Sequence, residues 1–340
     1  MEQKITHKNH YVPEFYLRNW SIDGNTIQTY RILVSHSKVP YWEPRPISSS
    51  AKWDDFYTRV ESGKEIDDFE KQFNQQFETP ATPVINKLLK EEKISYEEKL
   101  ILSRFLFAQF VRTPAHYVRE MELAEELFPS IIKETAAKLP EMIKKKRIPR
   151  VSSTTSKINS NLFPLKVTLD TEKEGFKVDS IIGRGLYLHS LEHQLSSTLK
   201  VAEKHDWRII HAADSISFPT SDDPVICLNF NTATNYNFNG GWNKKNCCIF
   251  MPLSPRLLIF TQIGKKGPYS SLDYSEKYSQ LFHDMIIQHA YRYVYSLNQQ
   301  KGMLRLNPRI IDKDKFEQEK EIMANWHMQQ IQMEKKLFQA

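Results

Sequence analysis

One run decides most of what this chain can become: Ser95 to Val111, reading SYEEKLILSRFLFAQFV. Ser95 followed by Glu97 and Glu98 is a helix-capping pattern, because a hydroxyl and a carboxylate can satisfy the free N–H groups of a first turn. Behind the cap, Leu100, Leu102, Phe105, Leu106, Phe110 and Val111 leave the helix apolar around its circumference. Such a helix needs protein on every side, so it is expected at the centre of the core with the chain wrapped around it. The 340 residues are enough for one large domain or two smaller ones. Only 10 glycines stand against 17 prolines, which argues against a glycine-rich nucleotide-binding fold and for many rigid turns.

The elements around that helix fall into four parts of one domain. Residues 10–62 read as a small β unit. Thr26 to Val34 alternates as a strand, Trp53 to Val60 reads as a second strand, and Pro40, Pro44 and Pro46 make an extended connection. Residues 65–205 are helical. Ile66, Phe69, Phe73 and Phe77 recur at helical spacing, with Glu70 and Glu78 bordering their face. Thr79-Pro80 and Thr82-Pro83 are expected to bend or restart the chain, and Thr113-Pro114 to kink or end the central helix. Helical runs follow to about Glu126, over 128–147, and from Leu186 to His205, with 148–173 read as a loop rich in polar residues. Residues 207–296 turn to short β runs at 207–212, 216–218, 225–228, 249–251 and 257–262, with a tight reversal at Asn239-Gly240-Gly241. Residues 275–290 return to helix, and 313–338 make a charged amphipathic terminal helix. The fold class is α+β: an N-terminal β unit, a central helical bundle, and C-terminal antiparallel β segments with a terminal helix.

Charge and cysteine content exclude little and bound the setting. A net charge of +6 is compatible with an anionic partner without demanding one. Three cysteines, Cys227 and the adjacent Cys247 and Cys248, give no disulfide framework and no zinc spacing, so a reducing cytoplasm is expected. No run approaches the roughly 20 apolar residues of a membrane span, and no membrane association is expected.

The densest segment is His10-Tyr11-Val12-Pro13-Glu14-Phe15-Tyr16-Leu17-Arg18-Asn19-Trp20, whose aromatics mark it for burial. This HYVPEFYLRNW, the DFYT at 55–58, the QFVRTP at 109–114, the TSDDPV at 220–225 and the PLSPRLLI at 252–259 together resemble domain-of-unknown-function family 4238. The resemblance spans about residues 10–296. Glu70 and Glu78 look like the family's two spaced helical glutamates, and Ala290 to Tyr295 like its A-x-R-Y/F-V-Y run, although Phe282-His283-Asp284 departs from its expected Asn. The resemblance implies a bacterial or phage-borne cytoplasmic protein.

Within these motifs three kinds of reactive group recur. His10 changes charge near neutral pH and suits a general acid or base, or a packed histidine with one hydrogen bond. Arg104 and Arg112 emerge from the apolar helix and need an anion or an internal acid, with Glu70, Glu78 or Asp222 as partners for Arg112. Thr220, Ser221, Asp222 and Asp223 lie between two β runs, where the aspartates suit a divalent metal or a water, or an Asx-type turn. Tyr11 suits stacking on a base or filling the core. The catalytic reading takes His10, Asp222 and Asp223 as working groups, with Arg104, Arg112, Tyr11, Thr220 and Ser221 holding the substrate. It makes the chain a hydrolase or nuclease-like enzyme on a phosphate-bearing substrate, nucleic acid or nucleotide, and requires these residues to share one pocket. The alternative is a non-catalytic sensor or effector component of a bacterial or phage conflict system, with the same residues as internal struts.

Three other features read more plainly. His189-Ser190-Leu191-Glu192-His193 fits the H-x-x-E-H zinc-peptidase pattern, but Leu188, Leu191, Leu195 and Leu199 turn the histidines away from the buried face. Lys144 to Arg147 with Arg150 reads as a solvated basic helix end. The terminal helix, with Phe316, Ile322, Met323, Trp326, Ile331 and Met333, is expected to pack on the domain or on a second copy in a homodimer.

Overall fold

The central helix forms over Tyr96–Val111, and the chain does wrap around it. Ser95 Oγ accepts the Glu98 N–H at 3.2 Å while the Glu98 carboxylate accepts the Ser95 N–H at 2.8 Å. Leu102, Phe105, Leu106, Phe107, Ala108 and Val111 are all buried, so from Phe105 onward no residue of the helix is exposed. The computed structural model describes residues 5–61, 64–144, 165–170, 175–264 and 275–339. The architecture is α+β, with antiparallel sheets around the helical middle and a terminal helix Lys313–Gln339.

The prolines act less as breaks than the sequence suggests. Residues 68–89 form one continuous helix whose middle, Phe73–Glu78, widens into a π turn. Pro80 has no N–H for the carbonyl of Gln76 and its ring crowds that turn; the wider π turn is what lets the helix run on. Pro114 does mark an end, since the central helix stops at Val111 just before it. It opens the helix Pro114–Lys144 from its first position, where a missing N–H costs no bond, and Thr113 Oγ1 accepts the His116 N–H at 3.2 Å. The two helical runs expected on either side of residue 127 are a single helix. Pro129 lies on its exposed side, where water can serve the freed carbonyl.

The β segments are interleaved along the chain. A four-stranded antiparallel sheet runs Thr220–Ser221, Tyr293–Ser296, Thr26–Arg31, Trp42–Pro46, so strands from the second half of the chain complete the N-terminal β unit. A five-stranded antiparallel sheet runs Arg208–His211, Leu257–Gln262, Cys247–Pro252, Ile226–Thr232, Asn235–Asn237. Four expectations change. The strand expected over 53–60 breaks at Asp55, which takes a left-handed φ of 56°, leaving Lys52–Asp54 and Arg59–Glu61. Residues 216–218 form no strand; the Phe218 N–H bonds the Pro255 carbonyl at 2.9 Å and the segment leads into Thr220–Ser221 of the other sheet. The reversal falls between Thr232 and Asn235; Gly240 is needed instead for close approach, since a Cβ there would sit 2.5 Å from Cys247 Sγ. Leu165–Asp170, within the supposed loop, is a strand paired antiparallel with Gly175–Ser180 beyond it, and its Leu165, Val167 and Leu169 alternate at strand period.

Candidate functional site

The resembling motifs bind one another. Tyr16 donates its hydroxyl to the Pro252 carbonyl at 2.7 Å and shares a hydrogen bond of the same length with Thr220 Oγ1. Trp20 Nε1 donates to the Phe218 carbonyl at 2.7 Å, and Asn19 Nδ2 to that of Leu253 at 2.8 Å. From the central helix, Gln109 Nε2 and Arg112 Nε both donate to the Tyr11 carbonyl, at 2.8 and 3.0 Å. Tyr57 donates its hydroxyl to the Arg112 carbonyl and its backbone N–H to Asn9 Oδ1, the latter at 3.1 Å. The N-terminal segment is thus pinned across the end of the central helix by groups from every other motif.

This pinning produces two carboxylate pairs with different surroundings. The first faces an open cleft of about 310 Å³, lined by His10, Pro13, Glu14, Phe15, Glu70, Asn74, Glu78, Thr79 and Thr82. Glu70 and Glu78 reach it from the same helix because of the π turn. Eight residues at about 100° each would set them roughly 80° apart on a regular helix, whereas one residue absorbed in a π turn brings them to within about 20°. Glu78 is held by Arg112 Nη1 at 2.7 Å, and Arg112, 2% exposed, has its Nη2 on the His10 carbonyl and its guanidinium over the Phe73 ring. Glu70 receives one long bond, 3.4 Å from Asn9 Nδ2. Burial pushes the Glu70 carboxyl up to about 7, with the Glu78 charge adding to the rise and Arg112 opposing it. His10 Nε2 lies 3.4 Å from Glu14, which also pairs with Arg18 at 2.7 Å. Burial lowers the His10 imidazole against the pull of Glu14, so it enters the cleft neutral near pH 7.

The second pair, Asp222 and Asp223, is closed. The Asp222 carboxylate accepts the Tyr291 and Arg292 N–H groups at 3.0 and 2.8 Å and is 3% exposed. Burial and the neighbouring Asp223 charge push it up, against the pull of those amides. Asp223, 1% exposed, accepts Thr113 Oγ1 at 3.0 Å and Arg119 Nη1 at 2.8 Å, and its carbonyl accepts His289 Nδ1 at 3.0 Å. Burial opposes ionisation there, but His289, Arg119 and Thr113 overcome it and hold the Asp223 carboxyl below its usual range. Ser221 Oγ accepts the Asp223 N–H at 3.2 Å. None of the cleft's lining comes from Thr220 to Val225.

The interlocked motifs, in one order along the chain, match a known family model: residues 8–300 fit that of DUF4238, described as a protein of unknown function. The chain belongs to this family. Searches of curated proteins and of solved structures returned no match.

In this DUF4238 chain the residues singled out from sequence divide into three groups. His10 lines the cleft and Arg112 backs it. Tyr11, Thr220, Ser221, Asp222 and Asp223 are buried in the joints between motifs, with the Tyr11 phenol pushed well up by burial beside Tyr295 and Asp222. Arg104 stands on the exposed side of its helix, paired with Glu203 at 2.5 Å. Among the described residues, no group of three or more His, Cys, Asp or Glu is arranged to hold a metal ion, His189, Glu192 and His193 included. Lys145 to Arg147 and Arg150 lie outside the described residues. No described helix is long and apolar enough to cross a membrane. Sequence reasoning did not place Glu14, Glu70, Glu78, Arg119 or His289 among the site residues. For the two helical glutamates their matching spacing was a signal, but the π turn that aligns them is not written in any periodicity.

Proposed function

We propose that this chain is a hydrolase whose working groups are Glu70, Glu78 and His10 in the open cleft. The observation that carries the reading is the split between the two glutamates: one raised to about 7 and nearly free of partners, the other fixed by a buried arginine. Paired carboxylates in unequal surroundings suit acid–base work, because one can give up a proton while its neighbour takes one or attacks. Glu70 is the proton donor, Glu78 the carboxylate that orients water, and neutral His10 a hydrogen-bonding group at the cleft's edge. Three glutamates in the lining disfavour a bare phosphate, so the nuclease or nucleotide version of this activity needs a divalent cation brought with the substrate.

The test is turnover of p-nitrophenyl esters, p-nitrophenyl glycosides and bis(p-nitrophenyl) phosphate, the last with and without Mg²⁺. One class is expected to be hydrolysed, with Glu70→Gln lowering the rate by about 100-fold or more. No turnover of any class, or equal rates in the variant, contradicts the reading. A second reading, a non-catalytic recognition component of a conflict system, draws on one observation: the Asp222 and Asp223 oxygens are already taken up by the protein itself.

A further inference from the structure

The terminal helix Lys313–Gln339 lies beyond the family match, which ends at residue 300. It is tied to the rest of the chain along its length: Glu319 pairs with Arg292, Gln330 accepts the Arg184 N–H at 2.8 Å, and three further residues hold its second half. Arg184, fully buried at the start of the helix Arg184–His193, meets the Glu334 carboxylate through Nη2 at 3.0 Å and Nε at 3.3 Å. Arg184 Nη1 also donates to His327 Nδ1 at 2.8 Å. An arginine can only donate, so His327 Nδ1 accepts, and its Nε2–H is left to bond Glu65 at 2.9 Å. Between these polar ties sits Trp326, 3% exposed, with its ring 5.1 Å from Trp53, 5.7 Å from Phe56 and 5.3 Å from Tyr117.

Trp53 is what connects this helix to the cleft. It stacks on Phe56 at 4.9 Å and lies on the strand Lys52–Asp54, which pairs with Lys8–His10 in the register Asn9↔Trp53 and His10↔Lys52. Asn9, fully buried, holds the Tyr57 N–H with one end and reaches Glu70 with the other, while His10 enters the cleft itself. Among the described residues neither the Trp326 nor the Trp53 indole N–H has an acceptor, so the joint between them is one of ring packing.

We propose that Trp326 is a positioning residue for the cleft: through Trp53 it presses the Lys8–His10 strand into the place from which Asn9 reaches Glu70 and His10 enters the cleft. The inference rests on the hydrolase reading, and it assigns to a helix outside the family match a share in shaping the site. Loss of the ring loosens the strand and admits water beside Glu70. Because burial is the largest cause of that carboxyl's rise, its midpoint then falls toward the ordinary glutamate range.

The test is the titration of Glu70 in the full chain, followed by NMR of ¹³C-labelled glutamate carboxyls and assigned with Glu70→Gln. Trp326→Ala is expected to lower the midpoint by about one pH unit or more, and Trp326→Phe, which restores a ring, to leave it near the wild-type value. Glu334→Gln weakens the tie to Arg184 without touching the aromatic joint and is expected to shift the midpoint in the same direction by less. It also keeps the question answerable if the alanine variant fails to fold. A wild-type midpoint near 7 that stays unmoved in folded Trp326→Ala, or in Glu334→Gln where the alanine variant does not fold, overturns the inference. A wild-type midpoint near 4.5 overturns the hydrolase reading beneath it.

Discussion

The open cleft and the closed aspartate pair are built on the same plan. Each has two carboxylates, one held by a guanidinium (Glu78 by Arg112, Asp223 by Arg119) and one pushed up by burial (Glu70 and Asp222). What differs is the count of partners on the raised member. Asp222 spends both oxygens on backbone N–H groups that the turn after the helix Glu276–His289 would otherwise leave bare. Glu70 has one long bond and an opening in front of it. A shifted carboxyl alone therefore does not mark a site, since the same tuning serves an anchor when its acceptors are full and chemistry when they are not.

The comparison breaks most visibly on stability. Replacing Asp222 by Ala removes the acceptor of two backbone N–H groups, and replacing Asp223 removes that of the buried Thr113 hydroxyl and the carboxylate facing the half-exposed Arg119. Each is expected to cost about 3 kcal/mol in urea unfolding. A cost below about 1 kcal/mol for either would remove the distinction between anchor and site. Glu70→Gln should behave in the opposite way. A carboxyl raised in the folded state gives its full stabilising contribution below its unfolded value, near 4.5, and that contribution is lost as pH rises through about 7. The amide cannot ionise, so the variant should gain on the order of 2 kcal/mol over wild type at pH 8 and match it at pH 4, read from unfolding curves at the two values. The smallest effect sharpens the contrast between the two arginines of the central helix. Arg104→Ala removes an ion pair whose arginine is half exposed and should change stability by no more than about 0.5 kcal/mol.

How much of this was readable in advance follows from what each feature depends on. The central helix and its cap were legible because an all-round apolar run and a Ser-x-x-Glu cap are local signals. The α+β class was legible because the spacing changes from helical to strand-like near Trp207. The N-terminal strands could be read, but not that Tyr293–Ser296 completes their sheet, since nothing in one strand names a partner more than 250 residues away. Asp222 and Asp223 were legible as a polar turn. Whether their oxygens met water or backbone N–H groups depended on where Tyr291 and Arg292 come to lie. The cleft was hidden for a different reason: its two glutamates share a face only because Pro80 is accommodated by a π turn, which sets helical periodicity out of phase.

The most direct test of the account is carboxyl labelling of the folded chain with a water-soluble carbodiimide and glycinamide at pH 6, mapped by peptide mass. A reachable carboxyl gives its proton to the carbodiimide and adds to it through oxygen, and glycinamide then displaces the urea to leave the amide. The account predicts that Glu70 is amidated in the folded protein, while Asp222 and Asp223 stay unlabelled until urea unfolds it. Labelling of Asp222 or Asp223 as fast as Glu70, or a Glu70 protected as fully as they are, would contradict it.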